Sequence, residues 1–201
     1  MRMSRTLAAA VLVVSLDGAE AAAQSRYDIG LLFGWTKTTS EGPVLKFSLG
    51  TTYEASFAWR VWQGEAVSLA VEVPFIATPS FTTSTPGASL PKEYASLYLT
   101  PGARLTWSPK GLVSVFGAVG GGYARYSESV LRADGGPNPD QRDTNAGALE
   151  FGGGITVRGG GWVDLRGEVR DIYTGARRFS IETPGGKIHN IVGSLGIAVP
   201  F

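Results

Sequence analysis

The sequence predicts an all-β protein, an eight-stranded antiparallel up-and-down transmembrane β-barrel with its apolar side turned outward. Three observations carry this. From Tyr27 onward apolar residues recur at every second position, the period of a strand whose side chains alternate between two faces. The alternating segments are joined in turn by tight Gly/Pro connections and by long polar ones, the pattern of a meander with short turns on one rim. Charge is scarce: of 201 residues 17% are charged and 28 are Gly, against roughly 25% and 7% in soluble domains.

The first element is an address. Arg2 and Arg5 precede the apolar run Leu7 to Leu16, and small residues lead to Ala21-Ala22-Ala23 before Gln24. That is the three-part pattern of a secretory signal peptide over 1–23; ten apolar residues are too few to span a bilayer as a helix. The barrel domain is then 24–201.

Strand one sets Tyr27, Ile29, Leu31, Phe33 and Trp35 against Asp28, Gly30, Leu32, Gly34 and Thr36. Strand two runs from Leu45 to Trp59 and Arg60, with Glu54 on its polar side. Strand three opposes Val67, Leu69, Val71, Val73 and Phe75 to Ser68, Ala70, Glu72 and Pro74. Strand four opposes Leu97, Leu99, Ala103, Leu105 and Trp107 to Ser96, Tyr98, Gly102 and Arg104. Strand five, Leu112 to Tyr126, is undecided, because Leu112, Phe116 and Ala118 are almost as apolar as Val113, Val115 and Val119. Strand six opposes Leu149, Phe151, Ile155 and Val157 to Glu150, Gly152 and Gly154, and strand seven opposes Leu165 and Val169 to Asp164, Arg166, Glu168 and Arg170. The last puts Ile191, Leu195, Ile197, Val199 and Phe201 opposite Asn190, Ser194, Gly196 and Ala198.

Gln63–Glu65, Ser108–Gly111 and Gly159–Gly161 are tight hairpin turns. Thr38–Pro43, Ala77–Glu93, Glu128–Asn145 and Gly175–His189 are the long loops.

Lipid rather than water should wet the apolar face. The other face is rich in Gly, Ser, Thr and Ala, unlike a charged, water-exposed surface. Trp59, Trp62, Trp107 and Trp162 all lie beside the short turns, a girdle suited to the headgroup level of one rim. The absence of Cys and a net charge of +1 exclude disulfide scaffolds, thiolate metal sites and thiol catalysis, and argue against nucleic acid as a partner.

With its signal peptide, eight alternating strands and the ending Leu195-x-Ile197-x-Val199-x-Phe201, the chain resembles the small OmpA-like outer-membrane barrels of Gram-negative-type bacteria. The resemblance implies a monomer in the bacterial outer membrane, in contact with its lipids. It also implies that the terminal aromatic strand is the signal read by the barrel assembly machinery during biogenesis. It is specific for architecture and poor for activity.

The polar face carries Glu54, Arg60, Glu72, Arg104, Glu150, Asp164, Arg166, Glu168 and Arg170, with Arg158 at a turn edge. An eight-stranded barrel is just wide enough for side chains to fill. Charges forced inside must pair, and Arg binds carboxylates through a planar fork. Two readings stay open: a plug of ion pairs, giving a structural or surface-interaction protein, or a polar path, giving a narrow channel or small-ligand carrier. Arg166 and Glu168 are the expected centre, with Glu54, Glu72 or Arg104 as partners.

Catalysis is not expected. Enzymes among the resembling barrels use Ser with His and an acid, in one type as His-x-Ser. Here His189 is followed by Asn190 and Ile191, and Ser194 falls on the opposite face by parity. No cofactor or metal is implied either. Gly120–Gly122 and Gly152–Gly154 lack the helix and Lys of a phosphate loop. Asp134, Asp140 and Asp143 lack the spacing of a calcium loop, and Arg177-Arg178 is a basic pair in the last long loop.

Overall fold

The computed structural model describes residues 25–39, 49–82, 92–109, 112–132, 134–139, 141, 143–175 and 188–201. They form one antiparallel sheet closed on itself. Its strands are β1 (Tyr27–Thr39), β2 (Gly50–Gln63), β3 (Val67–Thr82), β4 in two pieces (Glu93–Leu99 and Gly102–Trp107), β5 (Val113–Glu128), β6 (Asp143–Arg158), β7 (Asp164–Thr174) and β8 (Ile188–Pro200). Each strand pairs with its neighbours in sequence, and β8 returns to β1 over Asp28↔Pro200 to Thr39↔His189. Closure leaves no free edge. At the seam Tyr27 and Phe201 exchange both backbone hydrogen bonds, 3.0 and 2.9 Å, and their rings stack at 5.7 Å. The seam is narrow: a Cβ at Gly34 would lie 1.9 Å from the Gly193 carbonyl oxygen, and one at Gly196 2.1 Å from that of Leu31.

The period-two reading holds in every strand, with the apolar set outside. Leu31, Phe33, Trp35, Val119, Leu149, Leu165 and Leu195 are all more than half exposed, while the alternate positions are buried. The undecided fifth strand resolves the same way: Val113, Val115 and Val119 face out and Phe116 is buried inside. On β1 the outward run from Tyr27 to Trp35 covers about 20 Å of membrane depth at a strand tilt of roughly 40°. That is close to the ~25 Å apolar band of outer-membrane barrels.

Three departures from simple alternation matter. A bulge between Arg60 and Trp62 shifts the parity of β2, so that Trp62 joins Trp59 on the outer face although it lies an odd three positions further along the strand. A second bulge, between Thr78 and Phe81, turns Phe81 inward. The fourth strand, expected unbroken, is interrupted at Thr100-Pro101, where proline has no N–H to give the ladder.

The strands also run further than expected on the long-loop side. β3 continues to Thr82 and β5 to Glu128, and β6 begins at Asp143, because the residues there do not alternate between apolar and polar in a way that marks a strand. The signal segment 1–23, Leu45, Phe47, Asp140 and Arg177-Arg178 lie outside the described residues.

Candidate functional site

The lumen is built in two layers. In the layer nearer the short turns, β1 supplies Asp28, β2 Glu54, β3 Glu72, β4 Arg104, β5 Phe116, β6 Glu150, β7 Arg166, Glu168 and Arg170, and β8 Ser194. Inward parity on every strand brings them to one level. All the charged members are at most 5% exposed except Asp28, whose side chain is 16% exposed.

Arg170 is the hub. Its Nε donates to Glu168 and lies 3.1 Å from Glu54 Oε1; Nη1 donates to Glu150, and Nη2 to Glu72 Oε1 at 3.0 Å. Only guanidinium, with five donors in one plane, can serve four carboxyls this way. Arg104 pairs with Asp28 and, at 3.3 Å, with Glu72; Arg166 reaches Asp28 Oδ1 at 3.0 Å. Both of these guanidiniums stand over the Phe116 ring, 5.4 and 5.6 Å from its centroid, where the ring face attracts cations. The Thr100 hydroxyl donates to Glu150, and Ser194 donates to Glu54 Oε2 at 3.0 Å.

The second layer, toward the long loops, is built mainly of uncharged side chains, with the Glu128 carboxyl buried beside Tyr94. Thr36, Thr52 and Thr78 close a triangle of hydroxyls at 2.6, 2.9 and 3.1 Å. Tyr98 meets Tyr126 edge-on at 5.9 Å, and the Tyr126 hydroxyl bonds Thr174 at 2.9 Å. Asn190 donates to the Tyr126 hydroxyl and accepts from Thr38. Ile76, Phe81, Tyr94, Ile172 and Val192 fill the remainder and are almost wholly buried.

Seven of the nine lumen residues expected from the sequence thus meet, and two stand apart. Arg60 is at the rim, donating to the Ser25 carbonyl at 2.7 Å, and Asp164 caps the Gly159 N–H at 3.3 Å. The centre also moves. Arg166 pairs with Asp28 rather than with Glu54 or Glu72, and Arg170 takes the central place. Asp28 and Thr100 were missed as members, although parity alone already put Asp28 inside. The apolar and tyrosine layer had no signal beyond that same parity.

On the outer face Trp59, Trp62, Trp107 and Trp162 are 46 to 70% exposed beside the short turns. Trp35, Tyr53 and Tyr123 are exposed in the same way nearer the long loops, a second aromatic set that the sequence reading did not collect. Beyond it the exterior turns polar. Arg125 bonds Asp143 at 2.6 Å and Tyr123 bonds Asn145 at 2.6 Å; the hydrogen bond from Arg125 holds the Asp143 carboxyl below its ordinary range. His189 Nδ1 lies 2.8 Å from Asp171 Oδ2 on this outer side. Ser194 is buried inside, so these residues assemble no triad.

Fold and lumen together define an eight-stranded membrane β-barrel with an apolar exterior and an ion-paired interior. No family model and no curated protein matches the sequence. Among solved structures, the chain is similar to Neisserial surface protein A (TM-score 0.61, 14% identity, 88% of this chain and 98% of that one). It is also similar to Ail, the attachment invasion locus protein of Yersinia pestis (TM-score 0.54, 11% identity, 87% and 98%). A further structure of Ail, in complex with the heparin analogue sucrose octasulfate, matches at TM-score 0.53. The fold is that of the small eight-stranded outer-membrane β-barrels.

Proposed function

We propose that this chain is a monomeric bacterial outer-membrane protein whose lumen is plugged, and whose role is structural or one of surface interaction through its long-loop rim. One observation carries the reading: an ion-paired layer fixed by Arg170 lies beneath one built mainly of hydroxyl, aromatic and aliphatic side chains, and side chains in both are nearly inaccessible to solvent. A conducting path needs continuous water, and an interior of eight strands leaves little room for it.

The chemistry available to partners is then outside. The extended ends of β5 and β6, with Arg125 and Asp143, and the exposed apolar pair Val130-Leu131, crown the long-loop rim. Outer-membrane lipids cover the band between the two aromatic sets. Leu195, Ile197, Val199 and Phe201 line the outer face of the closing strand, and we assign them the role of assembly signal for the barrel machinery. The protein is not an enzyme on this reading, since among the described residues the rim histidine has an acid partner but no serine beside it to act as nucleophile.

Planar-bilayer recording is the test. The purified barrel is expected to show no steady conductance. A stable open level in most insertions would instead establish the narrow channel or small-ligand carrier.

A further inference from the structure

The apolar wall is not evenly covered by large side chains. A groove of about 560 Å³ opens on it across β8, β1, β2 and β3, where Ala55 and Ala77 lie low among Leu31, Phe33, Tyr53 and Phe75. Those four large side chains are exposed.

Register gives the small residues a direction. Ala55 pairs with Phe75, and Ala77 lies two residues beyond Phe75 toward the long loops. Ala77 pairs with Leu97, and Ala95 lies two residues beyond Leu97 in the same direction. All three alanines point outward, since Glu54, Ile76 and Tyr94 next to them are buried inside. Each step combines ~4.8 Å across the ladder with ~6.8 Å along the strand, so the line leans about 35° from the strands and covers about 17 Å.

The strands lean the other way. Followed from Tyr27 through its partner on each strand in turn, the row of paired residues returns to β1 at Lys37, ten positions nearer the long loops. Rows therefore climb from β2 to β4, and the accompanying strand tilt of roughly 35–45° cancels the lean of the alanine line. The three alanines stand one above another along the membrane normal. Tyr53 flanks them on one side, and Phe75 and Leu97 on the other.

A slot one residue wide, apolar and parallel to the normal has the shape of a straight hydrocarbon chain. A flat partner such as a second barrel would meet the projecting Phe33, Tyr53 and Phe75 before it reached the alanines. At the long-loop end the slot meets positive charge. Lys92 is exposed three residues beyond Ala95, and Arg125 pairs with Leu97 across the next ladder. The Arg125 side chain is 52% exposed, and a guanidinium with five donors can serve a phosphate as well as Asp143.

We infer that this slot binds one saturated acyl chain of a phosphorylated outer-leaflet lipid of the lipid A type, with its phosphate held by Lys92 and Arg125. This rests on the outer-membrane reading with the long loops outermost.

Native mass spectrometry of the full barrel, released from detergent after mixing with diphosphorylated lipid A, is the test. Wild type should retain one lipid A per barrel. Ala55→Phe/Ala77→Phe fills the slot and should retain about tenfold less, roughly what two buried methylenes contribute. Lys92→Gln/Arg125→Gln should also retain less. Gly147→Phe should behave as wild type, because a Cβ there meets nothing within 4 Å and β6 lies away from the slot. Heat-modifiable migration reports folding, and Ala77→Leu stands in if the double phenylalanine variant does not fold. Retention unchanged by filling or by loss of the two cations overturns the site. So does retention reduced equally by Gly147→Phe, or a wild type that carries no lipid A or a second barrel in its place. The outer-membrane reading fails by a different result, a folded chain that stays soluble without detergent.

Discussion

Arg170→Ala should be among the most damaging substitutions in the chain. It strips four carboxyls, from Glu54, Glu72, Glu150 and Glu168, of their common cation in a layer closed to water. Removing one partner of a buried ion pair costs about 3–5 kcal/mol, because the other charge is left uncompensated. This variant leaves more than one such group behind, so a loss at the upper end of that range is expected in urea unfolding from vesicles. Arg170→Lys should recover part of it, since a point charge keeps the electrostatics and loses the fork. A loss below about 1 kcal/mol for the alanine variant would mean that the layer is wet and the plug reading wrong.

The second large effect lies on the other face. Val119 is 62% exposed, halfway along β5 between Val115, which pairs with Trp107, and Tyr123. Val119→Arg places a guanidinium near the middle of the apolar band, where the cost is about 2–4 kcal/mol; near the interface it falls to about 0–1. Leu112, 66% exposed at the short-turn end, is the control, and Leu112→Arg should be nearly silent. Comparable exposure with unequal cost is the signature of lipid. In water both changes would be tolerated alike.

How much of this was legible in the sequence depends on what each feature needs. Side-chain parity needs only neighbours along the chain, so strand number, the outward apolar set and the inward charges could all be read directly. Pairing across the lumen needs strand register and tilt. Nothing local in Asp28 says that it will meet Arg104 and Arg166, or that Arg170 rather than Arg166 will sit among four carboxyls. Bulges are invisible for the same reason. Trp62 was grouped with Trp59 because both lie beside one turn, and it is the slip between Arg60 and Trp62 that makes the grouping correct in space. The upper layer was hidden because Tyr98, Tyr126 and Ile172 sit at inward positions, where an apolar or aromatic residue contributes nothing to an alternating pattern.

Fluorescence quenching of the tryptophans in vesicles made with brominated acyl chains tests most directly which solvent covers the barrel. Trp35, Trp59, Trp62, Trp107 and Trp162 all stand on the outer face, so bromine in the chains should quench most of the emission and aqueous iodide little. Strong iodide quenching with no effect of bromine would place those rings in water and contradict a barrel wetted by lipid.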